Sequence, residues 1–123
     1  MESTYRKVIS ACSTLIVLGR KQIPTPIAYR LYKLRQKLKH LTEFVTEREN
    51  AMADEMDVKV IDGVFQFPDD ETKAKFIKTH DEFLDAPCDV EVEEQVIKLA
   101  DLPDKLEISM NEIESLDGFI RFE

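Results

Sequence analysis

Tryptophan is absent from the 123-residue sequence, glycine occurs three times, proline five times and cysteine twice. Each scarcity closes a route. Two cysteines, Cys12 and Cys88, have neither the density of a disulfide scaffold nor the spacing of a metal site, and they fit a reducing cytosol. There is no glycine-rich phosphate loop, no His-Glu-x-x-His, no Gly-x-Ser-x-Gly and no calcium loop. The longest aliphatic run, Leu15 to Leu18, is far too short to span a bilayer. Glu2, Arg6 and Lys7 precede an apolar stretch that ends at Gly19 without a small-residue cleavage site, so no secretory signal is expected. His40 and His80 stand alone on predicted helices and read as surface or boundary residues. Cys12 falls on an apolar helix face, where a thiol is inert, and Cys88 follows Pro87 in a predicted loop. No catalytic residue, metal ligand or cofactor site is expected, and the chain does not read as an enzyme.

What is present points to helices. With 43% hydrophobic and 34% charged residues, the chain has the composition of one compact domain or an extended helical module, without low-complexity sequence. Tyr5, Val8, Ile9, Cys12, Leu15 and Ile16 recur at helical spacing and predict a helix from about Ser3 to Leu18. Gly19 is placed to close it in the left-handed conformation, and Pro24 blocks its continuation. Thr25 and Pro26 read as an N-cap and the first helical residue of a second helix. From there Ile27, Leu31, Leu34, Leu38, Leu41, Val45, Arg48 and Met52 alternate steps of four and three, a heptad seam uninterrupted by glycine or proline. A helix from Pro26 to Met56 would be a rod about 46 Å long at 1.5 Å per residue.

Two β-prone runs flank Asp62-Gly63, the strongest turn signal in the chain, and predict a hairpin. Pro68, Asp69 and Asp70 open a third helix with Ala74, Phe76, Ile77, Phe83 and Leu84 on one side, ended by Ala86-Pro87. Asp89 to Val92 alternates like a strand, Val96 to Ala100 is ambiguous, and Ser109 with Glu112 resembles a capping box before a short helix that Gly118 stops. Phe119, Ile120 and Phe122 suit a last strand.

The expected fold is α+β and mainly α, a single domain over residues 1–123. It divides into a helical hairpin at 1–56, a β-hairpin at 57–67, a helix at 68–86 and mixed strand and short helix at 87–123. The first and third helices together match the long helix in length, so each should lie antiparallel on one half of it. Any shortfall where they meet would expose Leu38, Leu41 and Val45 as an apolar partner surface. The competing use of the seam is a homodimeric coiled coil.

Charge is divided along the chain. Residues 1–42 carry nine Lys and Arg against one acid, a sum of +8, and residues 43–123 carry eight against 24, a sum of −16. The net charge of −8 disfavours direct nucleic-acid binding and adhesion to anionic membranes. Arg30, Lys33 and Lys37 flank one side of the seam, with Tyr32, Arg35 and Lys39 on the other, an order that opposes the helix dipole. This basic segment can pair with acids of the C-terminal region, with a second copy or with an acidic protein. Asp89, Glu91 and Glu93 would share one face of a strand; such a row resists edge aggregation and also imitates a phosphate backbone.

Lys21-Gln22-Ile23-Pro24, the run Ile27-Ala28-Tyr29-Arg30-Leu31-Tyr32-Lys33-Leu34, the Asp62-Gly63 hairpin and Ile113-Glu114-Ser115-Leu116-Asp117-Gly118-Phe119-Ile120 together span most of the chain. They resemble a family of small uncharacterised proteins encoded by tailed bacteriophages. The resemblance carries no activity or catalytic residue and implies only a setting, the host bacterial cytoplasm or the virion. The expected function is a non-enzymatic protein-binding module, a phage accessory protein that binds and inhibits or redirects a bacterial protein. A phage partner is the other possibility for its target. The alternatives are a virion or assembly protein that oligomerises through the seam, and an acidic DNA mimic.

Overall fold

The computed structural model describes residues 1–123. Strand β1 (Glu2–Thr4) precedes helix α1 (Tyr5–Gly19). The helix starts later than its periodicity suggests because the Thr4 hydroxyl caps it, accepting the Lys7 N–H at 3.2 Å. Gly19 does not take up its conformational freedom. The terminal residue is Arg20 in an ordinary helical conformation, and its N–H reaches the Leu18 and Val17 carbonyls.

Helix α2 (Thr25–Glu55) is one unbroken element of 31 residues. Its N-cap is Pro24 rather than Thr25: the Pro24 carbonyl accepts the N–H groups of Ile27 and Ala28, and no side chain caps the end. Two prolines are tolerated here because the first helical turn needs no internal donors. At the other end Asp57 turns left-handed at φ 55°, Val58 donates to Ala53 and Asp57 donates to Asp54. This is a Schellman closure with aspartate where glycine is usual, and Val58 packs with Met52 and Ala53 beneath it.

Strands β2 (Lys59–Ile61) and β3 (Val64–Gln66) form the expected hairpin, with Ile61 opposite Val64. Asp62 and Gly63 both have positive φ, 53° and 76°, as a two-residue primed turn requires. Helix α3 (Asp70–Leu84) is capped by Asp69, whose carboxylate accepts the Thr72 N–H at 2.7 Å and is held below its ordinary pKa by that bond. Phe76 and Leu84 are its buried residues, with Phe83 half-buried; Ala74 and Ile77, expected beside them, face solvent.

The two shorter helices do clasp the long one. Leu18 lies with Ile27 and Leu31 at one end of α1, and the Tyr5 ring is 5.6 Å from Phe44 at the other, so α1 runs antiparallel to α2. Phe76 packs with Met52, His80 bonds Glu49 and Phe83 meets Phe44, so α3 also runs antiparallel. They meet at Tyr5, Phe44 and Phe83, where the closest pair of rings is 4.9 Å apart. Arg6 reinforces the junction through Asp85 at 2.7 Å and Asp81 at 3.1 Å.

Strand β4 (Pro87–Asp89) pairs antiparallel with β1, and β5 (Gln95–Ile97) pairs parallel with β6 (Ile120–Phe122). The strand anticipated over Asp89–Val92 therefore lies two residues earlier, and Cys88 is buried within it rather than in a loop. A 3-10 turn (Leu99–Asp101) follows β5. Helix α4 (Met110–Ser115) opens with the full capping box of Ser109 and Glu112 and ties to α1 through Thr14 and Ser115 at 2.5 Å.

Candidate protein-binding surface

Leu38, Leu41 and Val45 are 0%, 9% and 2% exposed, so they form no surface patch. The cover that sequence reasoning failed to place comes from residues 87–123: Val90, Val92, Leu116 and Phe119 join Val8, Cys12, Leu34, Leu38 and Leu41 in the main core. The seam is consumed within the chain and leaves no face for a heptad dimer. Its register also drifts beyond Val45. Arg48 points to solvent, and the half-buried Glu49 takes the inward position, receiving His80 Nε2 at 2.8 Å.

Arg30, Lys33 and Lys37 remain exposed on α2. Lys33 places its ammonium 5.6 Å from the Tyr29 ring, and Tyr29 stacks on Tyr32 at 6.4 Å between ring centroids. Both tyrosines are more than half exposed. Some bases of the N-terminal region do reach acids: Arg6 pairs as described, and Lys21 bonds the Glu107 carbonyl and pairs with Glu112 at 3.3 Å. Burial raises the Glu112 pKa, but the Ser109 N–H and Lys21 outweigh it and hold the carboxyl below its ordinary value. Within α2 the pattern differs. Arg30, Lys33, Arg35 and Lys37 have no carboxylate within 4.0 Å, and Lys39 has only Glu43 at 3.8 Å.

Asp89, Glu91 and Glu93 point outward while Val90 and Val92 point inward, as strand alternation requires, although the ladder stops near Asp89. Glu91 and Glu93 line an open cleft of about 790 Å³ with Arg30, Leu34 and Lys37. Asp89 lies outside it, opposite Glu2. Two cations across the cleft keep the field of the acidic row from being uniformly negative.

Ile9, Cys12 and Ile16 line a second groove, of about 430 Å³, with Arg35 and Lys39 on its rim. Burial pushes the Cys12 thiol up to about 11, and burial together with Asp89 raises that of Cys88, so neither is an activated nucleophile. No three His, Cys, Asp or Glu side chains gather as a metal site. No helix is long and apolar enough to cross a membrane. No protein-family model, curated protein or solved structure matches the chain.

The stacked tyrosines and the Glu49–His80 pair were not singled out from sequence. The first had a usable signal, Tyr29 and Tyr32 three residues apart among cations. The second depends on how two helices cross and had none.

Proposed function

We propose that this protein is a non-enzymatic protein-binding module that docks an acidic protein surface on the outer face of α2, with Tyr29, Tyr32 and Lys33 at its centre and Arg30 and Lys37 beside them. One observation carries this reading: in a chain with 25 acids, Arg30, Lys33 and Lys37 stand without carboxylate partners around an exposed aromatic pair. Tyrosine and arginine are enriched where proteins bind one another, and unpaired charge steers an oppositely charged partner. The arrangement also gives a use to charges that oppose the helix dipole.

The resemblance to phage-encoded proteins supplies the setting. The module acts in a bacterial host as an accessory protein that binds a host protein and inhibits or redirects it. Cross-linking mass spectrometry in bacteria expressing the wild-type chain, or Tyr29→Ala/Tyr32→Ala/Lys33→Glu, tests both parts. The expected result is cross-links from Lys33 and Lys37 to one acidic bacterial protein, lost in the triple variant together with any growth effect. Cross-links spread over the whole surface, with growth unaffected by either chain, would refute the reading.

A further inference from the structure

We propose that the cleft between α2 and residues 90–96 receives an extended segment of a partner protein, added as a strand antiparallel to Glu91–Glu94 and carrying basic side chains at alternate positions. The chain from Cys88 to Glu93 keeps strand alternation without interruption, yet its backbone is used only toward its two ends. Before the cleft, Pro87–Asp89 pairs with β1, and Met1 and Val90 extend that ladder by exchanging bonds of 2.8 and 3.0 Å. Beyond it, Gln95–Ile97 pairs with β6, and Arg30 Nη2 donates to the Val96 carbonyl at 2.8 Å. Between them, no backbone N–H or carbonyl of residues 91 to 94 makes a hydrogen bond within the protein.

These free groups border an open space that begins beside Met1, in line with β1. A segment prolonging the line of β1 through that space runs antiparallel to 91–94 and meets the unused N–H and C=O groups of Val92 and Glu94, which by strand alternation project to the same edge as those that Val90 gives to Met1. Antiparallel neighbours share a face, so its side chains across from Glu91 and Glu93 lie on the exposed side. Neither glutamate has a cation within 4.0 Å, whereas the adjacent Glu94 pairs with Arg121 at 3.4 Å. Basic residues in the incoming segment complete those two pairs. The intervening side chains point toward Leu34, between Arg30 and Lys37, and suit aliphatic residues rather than further bases.

This goes beyond the outer face of α2 and is separable from it. The experiment uses the purified chain, a synthetic seven-residue peptide alternating lysine and valine, and the same peptide N-methylated at alternate amides so that its charge is kept and its pairing edge lost. Backbone NMR and hydrogen exchange are expected to place the shifts at residues 91–94, with exchange of the Val92 and Glu94 amides slowed at least tenfold. The methylated peptide, and the unmodified peptide against Glu91→Lys/Glu93→Lys, should each bind at least tenfold more weakly; both positions are exposed, and circular dichroism verifies folding. Tyr29→Ala/Tyr32→Ala should bind the peptide as wild type does. Equal binding of both peptides would reduce the effect to charge, and unchanged exchange at Val92 and Glu94 would empty the slot; either overturns the proposal. Concentration-dependent protection of these amides without peptide would assign the slot to a second copy and overturn it equally.

Discussion

The two halves of α2 carry the same apolar period but very different loads. The half from Ile27 to Leu41 belongs to a core of 17 buried residues drawn from α1, the long helix and residues 87–123, whereas Met52 and Ala53 share theirs only with Val58 and Phe76. The distal core compensates with aromatic side chains. Phe65 and Phe67 stand 4.8 and 5.5 Å from Phe76, His80 stacks on Phe76 at 5.6 Å, and Lys73 lies 6.0 Å from the Phe67 ring. Its hairpin nevertheless leaves Ile61 and Val64 more than half exposed. A heptad stripe thus reports which side of a helix is buried, while the thickness of the cover depends on segments remote in sequence.

The sharpest way to break this contrast is to empty each core in turn. Phe76→Ala should cost about 3 to 5 kcal/mol by the usual scale for buried aromatics. In so small a cluster the loss should appear as opening of the hairpin and α3 alone, seen as fast hydrogen exchange there while α1 stays protected. Unfolding of the whole chain in one step would mean the halves are not energetically distinct. Leu38→Ala, at a site with 0% exposure, should cost about 2 to 5 kcal/mol and lower protection everywhere in the main core. A loss below about 1 kcal/mol would show that residues 87–123 do not seal the seam.

Cysteine chemistry sharpens the contrast at the main core. With its thiol near 11 against an ordinary 9.0, Cys12 should alkylate at pH 8 about a hundredfold more slowly than in the unfolded chain from ionisation alone. Equal rates in native and urea-unfolded protein would place the thiol in water. The smallest effect concerns the anchor of α4. Because the folded Glu112 pKa is depressed, its contribution is complete above the ordinary glutamate range and is lost as pH falls through the folded value. Glu112→Gln should therefore lower the melting temperature slightly at pH 7, by the equivalent of about 1 kcal/mol for this half-buried pair, and not at all at the most acidic pH. A difference independent of pH would mean that the charge is irrelevant.

Local chemistry made much of this fold readable before any coordinates. The capping box at Ser109, the primed turn at Asp62-Gly63 and the unbroken period through Leu31, Leu38 and Val45 each depend on residues a few positions apart. The misreadings have the opposite origin. Gly19 advertises a left-handed residue that the backbone does not adopt, and the N-cap of α2 is Pro24 rather than Thr25. Leu38 and Leu41 read as a surface from sequence because nothing in residues 87–123 says that Val90 and Phe119 fold back over them. At the candidate site, Arg30, Lys37, Glu91 and Glu93 are legible by charge, but their gathering around one cleft is not, since it requires pairing Met1 with Val90.

That pairing has a temporal consequence. Glu2–Thr4 must wait for Pro87–Asp89, which leave the ribosome roughly 4 to 17 seconds later at ordinary rates of synthesis. During that interval the newborn hairpin of α1 and α2 presents its leucines unsheltered, so chaperone dependence in a translating lysate should end only once Leu116 and Phe119 have followed Val92 out of the ribosome.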